Sequence, residues 1–167
     1  MPPIQLLFLA GLTTVLAGVV AFAAVVLASA ARSGSGSQLT AGFLRRLARP
    51  GRERAELHRW AFYLHRIMGF AIFAFLCLHI LDVSTYALSP ALYDELHTLY
   101  ATAPMRTFEA GLLVAILFHT LNGLRLVAVD VVDLGIDASR RAFVAVVGLT
   151  VVLGAAGAAV IVAPAFS

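Results

Sequence analysis

The chain predicts an all-α integral membrane protein, a helical bundle with four transmembrane helices. Three observations carry that prediction. Of 167 residues, 61% are hydrophobic, only 13% are charged, and the apolar residues gather into four runs of membrane length. A water-soluble domain needs a polar surface that this composition, with a mean hydropathy of +0.94, cannot supply. Inside a bilayer each run must be helical, because lipid offers no partner to an unpaired backbone amide. About 20 residues at a rise of about 1.5 Å cross the hydrocarbon, and the runs fall at 4–31, 61–88, 107–129 and 142–163.

The first span, 1–31, ends in Ala28-Ser29-Ala30 before a polar run, which resembles a signal-peptidase site. It is nevertheless longer than a signal-peptide apolar region and lacks a basic leader, so a retained helix is expected. Residues 32–56 form a linker that opens with Ser33-Gly34-Ser35-Gly36-Ser37. Arg45, Arg46, Arg49, Arg52, Arg54 and Arg59 then lead into the second span. The loop before the third span holds Asp94 and Glu95, whereas Arg140 and Arg141 introduce the fourth. By the positive-inside rule the Arg-rich linker is cytoplasmic and both termini lie outside. Glycines and alanines of the first span, and Gly148, Gly154, Gly157 and Ala158 of the last, suit close helix packing.

Composition also removes several functions. All twelve cations are arginines placed by topology, which argues for a lipid bilayer as partner and against nucleic acid. The single Cys77 excludes an intrachain disulfide, a CxxC redox pair and a cysteine-ligated cluster within this chain. No dinucleotide or flavin fingerprint and no nucleophile constellation is present. The chain is therefore read as a subunit, not as an enzyme alone.

The most informative stretch is Phe118-His119-Thr120-Leu121-Asn122-Gly123-Leu124-Arg125, with Asp130 beyond it. An imidazole inside an apolar span needs a hydrogen-bond partner, a proton-transfer role or a metal. Gly123 lies one turn along the same face and leaves room for a flat macrocycle or another helix. The physical reading is haem ligation by His119. Taking Arg66 and Arg125 as inner span ends, His119 lies about 9 Å deep and His79 about 20 Å deep at helical rise. The two cannot easily share one iron, so the second axial ligand is expected from another membrane polypeptide. Near the mouth of the second span, in Tyr63-Leu64-His65-Arg66-Ile67-Met68-Gly69, His65 and Arg66 are placed to meet haem propionates or a quinone carbonyl. An arginine fork suits either; taken alone, Arg66 would be read as snorkelling to lipid phosphate.

The order of a His-Arg-x-x-Gly element, His65 to Gly69, and a His-x-x-x-Gly-Leu-Arg-x-x-x-x-Asp element, His119 to Asp130, resembles the cytochrome b membrane-anchor subunit of succinate dehydrogenase, respiratory complex II. The resemblance runs from about Leu57 to the last span, a three-helix core, and leaves the first helix as an extra. It implies a haem- and quinone-binding anchor domain over 57–167 in a bacterial plasma (inner) membrane. The implied partners are a second small anchor subunit that supplies the other axial histidine, an iron-sulfur subunit and a flavoprotein that oxidises succinate in the tricarboxylic acid cycle. The implied cofactors are one or two haem b groups and a quinone, either ubiquinone or menaquinone. By the same resemblance His119 falls on the axial ligand, His65 on a residue near the propionates and Arg66 on a quinone-pocket arginine. Where well-known members carry a serine three residues before the His-Arg pair, this chain has Phe62. That position becomes either a quinone-pocket wall or an aromatic packing residue.

Two readings stand for His79: ligand to a second haem, as in two-haem members of the wider family, or a packing histidine bonded to a carbonyl or to Asp82. Asp82 has two readings, a proton-path group or, more simply, a carboxylate solvated near the outer interface. His58 and His97 lie outside the spans and are expected to be solvated or at subunit contacts. Rival readings are the anchor of a quinol:fumarate reductase, another b-type cytochrome subunit, or a haem-free structural or transport bundle.

Overall fold

The computed structural model describes residues 1–30, 54–132 and 135–165. These form helices α1 (Pro3–Ala30), α2 (Arg54–Leu88), α3 (Pro90–His97), α4 (Ala103–Val132) and α5 (Ile136–Val162), with 3-10 turns at Thr98–Ala101 and Ala163–Ala165. Four contain segments long and apolar enough to cross a membrane: Pro3–Ala28, Trp60–Leu88, Ala103–Val132 and Asp137–Val162. The linker's Ser/Gly run and Arg45, Arg46, Arg49 and Arg52 lie outside the described residues, as do the side chains of Arg54, His58 and Arg59.

Chain neighbours are neighbours in space: α1 packs on α2, α2 on α4 and α4 on α5. α2 and α4 run antiparallel, since residue 61 meets 122 near one end and 75 meets 108 toward the other. Large apolar side chains point outward, among them Phe73, Leu76 and Ile80 of α2 and Val151, Val152 and Val160 of α5. This is the reverse of a soluble core and suits lipid or partner helices.

With no hydrophobic drive between helices in lipid, close contact must come from small residues. On α5 this expectation holds at two places. A Cβ at Gly154 would lie 3.0 Å from Val114, and one at Gly157 only 2.4 Å from Leu113, so these glycines let α5 close onto α4. Gly148 instead faces open space.

Two buried clusters divide the bundle. Phe8, Leu12, Leu78, Leu96, Leu99 and Met105 form one; Ala61, Phe118, Phe143 and Val146 form the other. The first is closed by α3, a helix within the loop expected before the third span. Ser89 is extended, φ −164° and ψ 122°, because a residue before proline is driven from the helical region, and Pro90 then starts a new helix without losing an amide bond. Gln5 of α1 reaches across, its Nε2 donating to the Glu95 carbonyl and to Thr98 Oγ1, both at 2.8 Å. At the same end the Arg106 guanidinium donates to the Ile161 carbonyl at 3.0 Å, satisfying one of α5's unpaired terminal carbonyls.

Candidate functional site

α2 and α4 cross where α2 offers a small residue to α4. Ala61 is 1% exposed, and the fully buried Asn122 of α4 donates from Nδ2 to the Ala61 carbonyl at 3.4 Å. One turn further along α2, the rings of His65 and His119 stack face to face, centroids 4.0 Å apart and planes 6° off parallel. His119 Nδ1 lies 3.1 Å from the His65 carbonyl oxygen. A carbonyl only accepts, so this contact selects the tautomer with the proton on Nδ1 and leaves the lone pair on Nε2.

Glycine makes the crossing close. Gly123 faces His65, where an added Cβ would sit 3.4 Å from Cε1; Gly69 faces His119, where it would sit 2.7 Å from Cε1 and 3.2 Å from Nδ1. The space predicted beside Gly123 is thus taken by another helix's imidazole. His65 Nδ1 is buried with no hydrogen-bond partner, an unusual cost in low dielectric.

Arg125, at the expected inner end of the third span, does not reach out to solvent. It is 5% exposed, donates from Nε to the Ser139 carbonyl at 3.1 Å and from Nη2 to Ser139 Oγ at 2.8 Å, and lies over the Phe143 ring at 5.3 Å. A weaker 3.4 Å contact joins it to Asn122 Oδ1. Arg125 therefore ties the α5 start to α4 and carries the bonding back to α2 through Asn122.

Arg66 and Phe62 are both exposed on α2. The guanidinium lies 5.1 Å from the Phe62 ring centroid, and Tyr63 meets that ring edge-on at 5.7 Å. Arginine and aromatic form one outward-facing pair beside the half-buried His65.

Asp82 corrects the sequence reading. It is 2% exposed, not solvated, and the Thr98–Ala101 turn brings Tyr100 against it. Its Oδ2 accepts from Tyr100 at 2.8 Å, while Oδ1 has no partner. Burial and the bond to Asp82 push the Tyr100 hydroxyl well above the usual phenol range. His79 is exposed, its ring stacked 6.0 Å from Phe75. His97 is exposed between Tyr93 at 4.0 Å and Tyr100 at 4.9 Å.

The structure thus brings together His65 and His119 and, separately, Phe62 and Arg66, and it sets His79 apart. Gly69 and Asn122 had no assigned role from sequence. The signal for Gly69 was the repeated His-x-x-x-Gly spacing at 65–69 and 119–123.

These features define a multi-pass membrane subunit organised around a polar pair where two helices cross. The chain belongs to the succinate dehydrogenase/fumarate reductase transmembrane subunit family, whose model matches residues 44–157. It is similar to the succinate dehydrogenase 2 membrane subunit SdhC of Mycobacterium tuberculosis, 39% identical over 93 residues that cover 54% of this chain and 68% of that protein. The succinate dehydrogenase hydrophobic membrane anchor subunit of Halobacterium salinarum is 36% identical over 95 residues, covering 56% of this chain and 72% of the relative. α1 precedes the matched segment.

Proposed function

We propose that the chain is the cytochrome b anchor of a bacterial succinate:quinone oxidoreductase, holding one haem b with a second anchor subunit and forming part of the quinone site. The observation that carries this reading is the 3.1 Å contact of His119 Nδ1 with the His65 carbonyl. Metal-binding histidines characteristically donate their other ring N–H to such an acceptor. Metal approaches imidazole in the ring plane, so face-on stacking by His65 leaves Nε2 geometrically suited to iron. The half-buried His65 beside the exposed Arg66 fits a residue near a propionate or a partner group.

When bound, the haem supplies a one-electron store whose potential depends on its ligands and burial. The other tasks belong to side chains of this chain. His119 ligates and His65 orients it. Arg66, exposed and permanently charged, donates hydrogen bonds to a quinone carbonyl oxygen and stabilises the negative charge that builds there on reduction. Phe62 walls the apolar side of that site. A partner anchor subunit would supply the other histidine ligand, and the iron-sulfur and flavoprotein subunits would deliver electrons from succinate. The arginine bias of the linker supports a cytoplasmic position for the Arg66 end, in a plasma membrane. The same architecture serves fumarate reduction with the electron flow reversed.

The test is purification through a tag on this chain, with assay of the complex against quinone and against a water-soluble artificial acceptor. All three partner subunits should co-purify. Arg66→Ala should lower quinone reduction by about tenfold, the equivalent of about 1.4 kcal/mol, with artificial-acceptor turnover retained. Equal loss of both activities would remove Arg66 from the quinone site.

A further inference from the structure

In an α-helix, residues i and i+4 share a face one turn apart. Because α2 and α4 are antiparallel, the 65–69 and 119–123 segments meet with each histidine opposite the other segment's glycine. We infer that these segments form a reciprocal clamp that positions His119 before haem enters, with the His65 carbonyl fixing its tautomer and Gly69 setting how closely its ring lies on α2. This rests on the haem reading above and assigns positioning roles to Gly69 and to the His65 backbone.

The clamp is not symmetric. A Cβ at Gly123 would meet His65 Cε1 at 3.4 Å, an ordinary contact, whereas one at Gly69 would meet three atoms of the His119 ring, the nearest at 2.7 Å. The ring cannot tilt away freely, since His65 stacks on it at 4.0 Å and its Nδ1 is tethered to the His65 carbonyl. A methyl at 69 must therefore displace the imidazole or part the helices, and either change disturbs the Nδ1–H···O contact. A methyl at 123 leaves His119 where it is. Gly157 provides the control for packing alone, because its Cβ would press on Leu113 at 2.4 Å between α4 and α5, away from the clamp.

The experiment compares Gly69→Ala, Gly123→Ala and Gly157→Ala in the complete complex. Haem per flavoprotein, the haem midpoint potential and the low-spin haem spectrum are measured on each. Gly157→Ala, outside the clamp, should match wild type, and Gly123→Ala should disturb haem less than Gly69→Ala. Gly69→Ala should lose about tenfold in haem retention, the scale for loss of a ligand-orienting group, or hold haem with a shifted potential and altered spectrum. Wild-type content, potential and spectrum in Gly69→Ala would overturn the clamp, as would equal losses in Gly69→Ala and Gly157→Ala. If Gly69→Ala does not assemble, a density map of the wild-type complex decides. Iron on Nε2 of His119 with Nδ1 still on the His65 carbonyl supports the clamp, and iron on Nδ1 or a broken contact overturns it. A wild-type complex without haem would instead overturn the functional reading on which the clamp rests.

Discussion

Toward the C-terminal end of α2, Asp82 is buried within its own chain, against the turn that carries Tyr100. Toward the other end, His65 is only half-buried, and Arg66 and Phe62 beside it are exposed. Both ends place polar groups where lipid would penalise them. The difference is in what completes the burial. The Asp82 end is tied within the chain by Tyr100, whose ring meets Phe8 of α1; the His65 end presents charge and aromatic outward beside a half-buried imidazole. A polar site that a chain seals itself reads as structural, and one that it leaves open reads as a place for something else to bind.

That contrast can be broken by substitution. The largest effect belongs to His119→Ala, which should abolish haem binding while the subunits still co-purify, measured as haem per flavoprotein. Arg125→Ala should come next, destabilising the complex by about 2–3 kcal/mol, the scale of hydrogen bonds to a charged donor. Thermal inactivation reads this loss, and an unchanged half-life would remove Arg125 as the tie between α4 and α5. Tyr100→Phe should cost about 1 kcal/mol and leave haem content and quinone reduction alone; a change in either would mean that the Asp82 end is not merely structural.

The Tyr100 contribution also carries a pH signature. Its hydroxyl titrates above the ordinary phenol range in the folded chain, so the stability that it adds is complete below about pH 10, the usual phenol value. It is lost as the pH rises toward the raised value. Wild type and Tyr100→Phe should therefore converge in thermal stability above about pH 10. Gln5→Ala should have the smallest effect, about 0.5–1 kcal/mol for part-buried hydrogen bonds between neutral groups, read by the same thermal assay.

The four crossings were legible because hydropathy is a property of each segment by itself. Their ends were not: α2 starts at Arg54 and α4 at Ala103, since helical hydrogen bonding continues past the apolar run. The short α3 had a local signature in Ser89-Pro90 that hydropathy could not register. At the site, His119, His65 and Arg66 stood out as polar groups in or beside apolar spans. The meeting of Gly69 with His119 did not, because the register between α2 and α4 is a tertiary quantity absent from either segment. Asp82 was misread for the same reason. Its partner Tyr100 lies 18 residues away, beyond the helix and turn that fold back to cover it.

A reduced-minus-oxidised optical spectrum of the complex purified through this chain decides whether His119 is an iron ligand. The wild-type complex should give a b-type band, His119→Ala should lack it, and His79→Ala should retain the band of the haem that His119 holds. A fully assembled wild-type complex with no b-type band, or a His119→Ala complex with the whole band intact, would contradict the account.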